Sequence, residues 1–155
     1  MIVDYGAATG LLLREISQRA SATVIGVDIS QFALGEITRR GGFALDSRMY
    51  PSANINPDTV ISLDVFEHMT DEEIRAALKN KPKNLIVRIP VKQFEDDTAF
   101  FLDCSNKDVT HINCKTHDGW IVFFERLGYR FDRDFGESGL IYSSNGVFTG
   151  VLHRK

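Results

Sequence analysis

The stretch Val3-Asp4-Tyr5-Gly6-Ala7-Ala8-Thr9-Gly10 decides how this sequence folds. It opens on apolar, β-branched residues, as a buried parallel strand requires. Small residues then form a tight turn, and Leu11-Leu12-Leu13-Arg14-Glu15-Ile16 predicts the start of a helix. In such a strand–turn–helix unit a ligand can approach the backbone closely, and free N–H groups at the helix start face it. The pattern indicates either a nucleotide-type binding loop or an ordinary tight turn.

Composition and charge predict one globular domain over residues 1–155. The hydrophobic share of 43% and the charged share of 25% are usual for such a domain. A formal net charge of -3 provides no basic surface for a polyanion, so nucleic-acid binding is not favoured. Cys104 and Cys114 are too few for a disulfide framework and predict reduced thiols in the cytoplasm. No apolar run approaches membrane-spanning length, so we expect no membrane partner.

Asp28 is the second candidate binding residue. It closes a strand predicted over Ala22 to Val27, at about 20 residues from the small-residue turn, where a Rossmann-type site holds its ribose hydroxyls. A carboxylate can accept two hydrogen bonds from a vicinal diol. Ile29 would then lie against the adenine. The alternative is a helix N-cap, which Asp28 or Ser30 could supply.

Two segments resemble a known family. The turn Asp-x-Gly-x-Ala-x-Gly resembles motif I of class I S-adenosylmethionine (SAM)-dependent methyltransferases, with Ala8 in place of the middle glycine. Asp64-Val65-Phe66-Glu67-His68 resembles the Asp-Val-Leu-Glu-His segment of small-molecule methyltransferases of this class. The resemblance implies SAM as the cofactor, with Asp46 at the adenine amino group. The alternative for Asp46 is an exposed acid in a turn. The implied cofactor-binding residues are Asp4, Gly6, Ala7, Ala8, Gly10, Asp28, Ile29, Asp46, Ser47, Asp64 and Phe66.

The predicted fold is α/β: a Rossmann-like class I methyltransferase fold with a mostly parallel sheet flanked by helices and a C-terminal antiparallel hairpin. Asn145-Gly146 is a hairpin-turn pattern, and residues 139–143 would continue or pair with the strand before it. Relatives usually carry a helix ahead of motif I, and we expect that lid to be missing from this domain. Helices are predicted at 11–20, 31–40, 71–80 and 118–127, and strands at 2–3, 22–27, 43–45, 58–63, 84–89, 129–135 and 147–153.

The acceptor side is predicted around Glu67, His68 and His111. Residues 91–117 show no clean periodicity, and a long irregular segment at the carboxyl edge of a sheet is typically functional. Glu67, His68 and His111 are therefore the candidate catalytic residues. Together with Asp64 they also resemble the Glu-x-x-Glu-His plus His metal site of some relatives, with Asp64 replacing the first Glu. In the alternative interpretation Glu67 caps the next helix and His68 packs at the pocket wall.

The resemblance implies transfer of a methyl group from SAM to a small-molecule acceptor. Two other classes stay open: a non-catalytic domain that binds SAM or a partner, and an NAD-dependent oxidoreductase. The oxidoreductase is disfavoured because the turn is not Gly-x-Gly-x-x-Gly. No catalytic triad is expected, since methyl transfer mainly requires two reactants to be oriented and water to be excluded.

Overall fold

The computed structural model describes residues 1–135 and 146–155 and is built around one sheet. Seven strands form this sheet within the described residues. They are β1 (Ile2–Tyr5), β2 (Val24–Asp28), β3 (Phe43–Asp46), β4 (Thr59–Leu63), β5 (Asn84–Pro90), β6 (Tyr129–Asp134) and β7 (Val147–Arg154).

The strand order is β3-β2-β1-β4-β5-β7-β6. Strands β1 to β5 pair in parallel, whereas β7 pairs antiparallel with both β5 and β6. This confirms the predicted fold, including its antiparallel C-terminal strand pair. Asn145 of the predicted hairpin turn and the segment 139–143 lie outside the described residues.

The helices are α1 (Leu11–Arg19), α2 (Gln31–Arg39), α3 (Asp71–Ala77), α4 (Asp103–Asn106) and α5 (His117–Arg126). Short 3-10 turns occupy Tyr50–Ser52 and Phe66–His68. Among the helices of the part of the chain that the structure describes, none has both the length and the apolar character to cross a membrane.

Helix α3 ends three residues before the predicted Asn80. The Asn80 side chain donates to the carbonyl of Ile55 at 2.6 Å, and Lys81 adopts a positive φ of 47°. Pro82 follows, and a proline disfavours helical backbone in the residue before it. Strand β2 also begins later than predicted, at Val24, because the Ala22 amide closes a turn onto the carbonyl of Ala20.

Two hydrophobic cores lie on opposite faces of the sheet, because side chains alternate along each strand. The larger core packs Trp120 and Phe124 of α5 against Leu85 and Leu152 of the sheet. The smaller core is formed by buried residues of α1, α2, β2 and the first turn: Ala7, Leu13, Val24 and Ile37. Because β1, β2, β3 and β4 pair in parallel, their carboxyl ends lie at one edge of the sheet, where open α/β sheets bind ligands.

Candidate active site

The turn after β1 has three left-handed residues at alternate positions. Gly6, Ala8 and Gly10 have φ values of 82°, 46° and 77°, and Gly10 is the N-cap of α1. A Cβ on Gly6 would lie 2.1 Å from Cγ2 of Val65, so this position has no room for a side chain. The turn can approach the segment after β4 only because Gly6 is a glycine.

Asp28 ties this turn to the loop after β2. Its Oδ2 accepts the backbone N–H of Ala8 at 2.8 Å, and its Oδ1 accepts that of Ser30 at 2.9 Å. Ser30 is the N-cap of α2, and its hydroxyl accepts the Ala33 N–H at 3.3 Å. The capping role considered for Asp28 or Ser30 therefore belongs to Ser30. Both Asp28 oxygens keep a further lone pair for a ligand hydroxyl.

A cavity of about 530 Å³ opens at this edge of the sheet. Five of the predicted cofactor residues line it: Gly6, Asp28, Ile29, Ser47 and Asp64. The predicted catalytic residue His68 lies on the same wall. The remaining lining residues are Tyr5, Val27, Arg48, Pro51, Val65, Met69, Glu73 and Ala76.

The other predicted cofactor residues lie beside the cavity rather than on its wall. Ala8 and Gly10 shape the turn, and Ala7 is buried in the smaller core. Phe66 is buried in the larger core against Tyr5, with ring centroids 6.2 Å apart. A cofactor contact by Phe66 could therefore involve only its backbone.

Two acids near the cavity differ in their surroundings. Asp4 is buried, and its Oδ2 has no hydrogen-bond partner among the described residues. Burial, with the charge of Asp28 second, raises the pKa of Asp4 to about 6. Asp46 instead accepts hydrogen bonds from Nε of Arg48 and from Nε2 of Gln31, both at 2.8 Å. The Arg48 guanidinium holds the pKa of Asp46 well below its usual range.

Sequence reasoning missed the contribution of α3 to the cavity wall. Glu73 and Ala76 of α3 line it and are three residues apart, which places them on one helical face, and Met69 lines it from just before the helix. That spacing could have indicated the face that α3 turns toward the ligand. Arg48 was missed because its place in the cavity depends on its pairing with Asp46.

Glu67, His68 and His111 form a cluster next to the cavity. Each offers one ligand atom, and these atoms lie within 4.8 Å of one another. The side chains of His68 and His111 are 33% and 12% exposed, whereas that of Glu67 is 1% exposed. The amides of Ile112 and Asn113 donate to the Glu67 carbonyl at 2.9 and 3.0 Å. These two bonds bring the irregular segment onto the 3-10 turn.

Burial leaves part of this cluster without hydrogen-bond partners. Glu67 Oε2 and His111 Nδ1 are buried and have no partner among the described residues. Burial raises the pKa of Glu67 to about 8. His68 Nε2 lies 4.0 Å from Glu67 Oε1. The cluster therefore combines a carboxyl group that can hold a proton near neutral pH with two imidazoles.

Asp64 does not belong to this cluster. It adopts a left-handed φ of 57° directly after β4, and its carboxylate pairs with the guanidinium of Arg88 on β5. In the resemblance to a metal site Asp64 was the outside member of the set, and in the structure the possible ligand atoms that lie together are those of Glu67, His68 and His111. The shorter side chain of Asp64 and the arginine on the neighbouring strand explain the difference.

The sheet order, the glycine turn and the cavity at the carboxyl edge define a Rossmann-like class I methyltransferase fold. Residues 2–85 match the methyltransferase domain family, and the chain belongs to that family. An uncharacterised methyltransferase of Oceanobacillus iheyensis is 30% identical over 96 residues, which are 56% of this chain and 44% of the relative. The chain thus spans less than half the length of that relative.

Solved structures share the fold at lower identity. Magnesium protoporphyrin IX methyltransferase from Synechocystis PCC 6803, with bound S-adenosylhomocysteine (SAH), has a TM-score of 0.72 and 18% identity. The likeness covers 100% of this chain and 74% of that one. The methyltransferase domain of bacterial CtHen1 has a TM-score of 0.67 and 18% identity, over 99% of this chain and 88% of that one.

Proposed function

We propose that this chain binds SAM in the cavity at the carboxyl edge of the sheet and transfers its methyl group to a small-molecule acceptor held at Glu67, His68 and His111. One observation carries the proposal. His68 lies on the wall of the cavity that Gly6 and Asp28 line, and it also belongs to the cluster with Glu67 and His111. A donor site and an acceptor site therefore meet at one side chain.

The cavity suits the cofactor in size and chemistry. Its volume of about 530 Å³ lies in the usual range for ligand pockets. Asp28 would hold the ribose hydroxyls and Ile29 would cover the adenine. The turn at Gly6, which has no side chain, would let the ligand approach the backbone closely. When bound, SAM supplies a methyl group already activated on a sulfonium. The related magnesium protoporphyrin IX methyltransferase was solved with SAH bound, which supports this assignment.

The acceptor side has groups that can orient a nucleophile and take its proton. The Nε2 of His68 is the proposed base, because the other ring nitrogen lies 2.8 Å from the Thr110 hydroxyl. Phe100 packs edge-on against His111, with ring centroids 5.3 Å apart, and so covers one side of that imidazole. Glu67 provides a buried carboxyl group beside both imidazoles.

The charges at the cavity favour a neutral or cationic small molecule over a polyanion. Arg48, which lines the cavity, is paired with Asp46. Arg88 is paired with Asp64, which lines the cavity. No unpaired Lys or Arg lines this cavity in the range 1–135 and 146–155, so phosphate groups would find no free cation there.

The same cluster supports a second candidate role, a divalent-cation site. One carboxylate and two imidazoles are a common donor set for Zn²⁺ and other transition metals. Glu67 Oε2 and His111 Nδ1 are buried without partners in the described part of the chain, so a cation would satisfy both atoms. When bound, such an ion would lower the pKa of an acceptor hydroxyl.

The first experiment tests the cofactor. Thermal-shift and calorimetric titrations should show stabilisation by SAM and SAH and none by NAD. Replacing Asp28 with Ala should weaken SAM binding about ten-fold or more, because a charged hydrogen-bond acceptor is lost. Asp118→Ala is the matched control, since that carboxylate is 94% exposed on α5 and should not affect SAM binding. Stabilisation by NAD alone would indicate an oxidoreductase instead.

The second experiment separates the base from the metal site. Mg²⁺ and Zn²⁺ are titrated by calorimetry into protein saturated with SAH, with His111→Gln as the comparison variant. A metal site predicts heat with the unaltered protein and a loss of that heat in the variant. No heat with either ion, together with methyl transfer that is insensitive to chelators, would leave His68 as a base. Absence of turnover with any acceptor, despite SAM binding, would favour a non-catalytic SAM-binding domain.

A further inference from the structure

The imidazole of His68 ends a short hydrogen-bonded chain that starts at Asp108. The hydroxyl of Thr110 lies 2.6 Å from Asp108 Oδ1 and 2.8 Å from His68 Nδ1. The backbone N–H of Thr110 also donates to Asp108 Oδ1 at 2.9 Å. The hydroxyl of Thr110 is therefore placed between a carboxylate and a ring nitrogen.

Counting hydrogens gives the direction of this chain. A hydroxyl group has one hydrogen to donate, and an ionised carboxylate can only accept. The hydrogen bonds from Thr110 hold the pKa of Asp108 below its ordinary value, which keeps the carboxylate ionised. The Thr110 hydrogen is therefore directed at Asp108, and its oxygen accepts a hydrogen from Nδ1 of His68.

We infer that Asp108 and Thr110 are positioning residues that fix His68 in the Nδ1–H tautomer, so that Nε2 carries the free lone pair. Which ring nitrogen is protonated is set by the hydrogen bond that the other nitrogen makes. The tautomer follows from the contacts alone, whereas its use in methyl transfer rests on the proposed function. With the opposite tautomer, Nε2 could neither take a proton nor bind a cation.

The same carboxylate also faces the second imidazole of the cluster. Asp108 Oδ2 lies 3.7 Å from Nε2 of His111. This favours a hydrogen on Nε2 of His111, so the free lone pair lies on Nδ1. That atom is buried and has no hydrogen-bond partner among the described residues. One exposed acid thus orients both imidazoles, through Thr110 on one and directly by charge on the other.

The test is a long-range ¹H–¹⁵N NMR spectrum of the imidazole nitrogens, recorded on the ¹⁵N-labelled chain of residues 1–155 at a pH where His68 is neutral. A His68→Gln variant assigns the His68 signals among the four histidines. The expected result is the Nδ1–H pattern for His68 in the unaltered protein. An Nε2–H pattern there overturns the inference without any further variant.

A matched pair of variants then tests the role of the hydroxyl. Thr110→Val keeps the shape and removes the hydroxyl, so His68 should lose its Nδ1–H preference. Thr110→Ser restores the hydroxyl and should restore the pattern, which a purely structural role of Thr110 would not require. An unchanged tautomer in folded Thr110→Val contradicts the inference. The SAM thermal shift is measured on the same samples. A protein that binds no SAM but keeps the Nδ1–H tautomer would contradict the proposed function and leave the inference on the tautomer intact.

Discussion

Ala8 occupies a backbone conformation that suits glycine better. Its φ of 46° is in the left-handed region, where a Cβ costs about 1–2 kcal/mol. The hydrogen bond from the Ala8 N–H to Asp28 stabilises this conformation. The motif that this turn resembles has a glycine here, and the left-handed φ of Ala8 is one that glycine adopts without steric cost.

Replacing Ala8 with Gly should therefore stabilise the protein. We expect a gain of up to about 1 kcal/mol in the free energy of unfolding, since relief of strain exceeds the added flexibility of the unfolded chain. Ala7→Gly is the control: that residue is buried and has no positive φ, so its replacement should destabilise by about 1 kcal/mol. Urea unfolding of the two variants measures both, and equal destabilisation would contradict the strain argument.

Asp4 lowers the free energy of unfolding at pH values at which its carboxyl group is ionised. Its pKa is raised from 3.8 to about 6, first by burial and then by the charge of Asp28. The folded state therefore binds this proton more tightly than the unfolded chain does. The contribution of Asp4 to the free energy of unfolding consequently falls as the pH rises from 3.8 to about 6.

Asp4→Asn should remove this pH dependence. Relative to the unaltered protein, the variant should gain about 1–3 kcal/mol between pH 4 and pH 7, because each pKa unit corresponds to about 1.4 kcal/mol. Denaturant unfolding at several pH values measures the difference, in which the titration of Glu67 cancels. Parallel curves over this range would show that folding does not raise the pKa of Asp4.

At the scale of elements, α3 connects helix capping to the cavity wall. The Thr70 hydroxyl accepts the Glu73 N–H at 3.2 Å, and the Glu73 carboxylate accepts the Thr70 N–H at 2.7 Å. The two bonds form a capping box, for which Thr70-Asp71-Glu72-Glu73 has the typical sequence pattern, and Glu73 lies on the wall of the cavity.

Thr70→Ala should lower the free energy of unfolding by about 1 kcal/mol. The Glu73 N–H then loses its acceptor, and the Glu73 carboxylate loses the hydroxyl that donates to it. Thr38→Ala is the comparison, since that hydroxyl only bonds back to the Leu34 carbonyl within α2 and should change stability little. Thermal unfolding of both variants provides the test. Similar losses in the two would mean that the capping box contributes nothing specific.

Local patterns predicted the elements well and their long-range contacts poorly. The turn before α1 and the acid closing β2 follow from residues that are near in sequence, and both lie where the sequence placed them. The position of α4 and the contact of Ile112 with Glu67 depend on hydrogen bonds across many residues, which no periodicity records. The pairing of Asp64 with Arg88 joins two neighbouring strands and was missed for the same reason.

At the scale of the whole molecule, the sheet places every part of the site. The parallel strands bring Gly6, Asp28 and Ser47 to one edge, as open α/β topology requires. Strand β7 pairs between β5 and β6, so the C-terminal pair extends the sheet beyond β5. The sequence predicted this architecture because each strand has its own apolar run, whereas the composition of the cavity wall required the three-dimensional structure.

The two amides that donate to the Glu67 carbonyl couple the irregular segment 91–117 to the turn beside the cofactor cavity. Any local opening that frees the amides of Ile112 and Asn113 breaks the contact between the irregular segment and the turn that carries His68. A ligand that binds only the closed form lowers the population of the opened form by the factor 1 + [L]/Kd. Amide hydrogen exchange of Ile112 and Asn113 should therefore slow when SAH fills the cavity, although neither residue lines it, while the Gly128 amide in the turn after α5 exchanges as before.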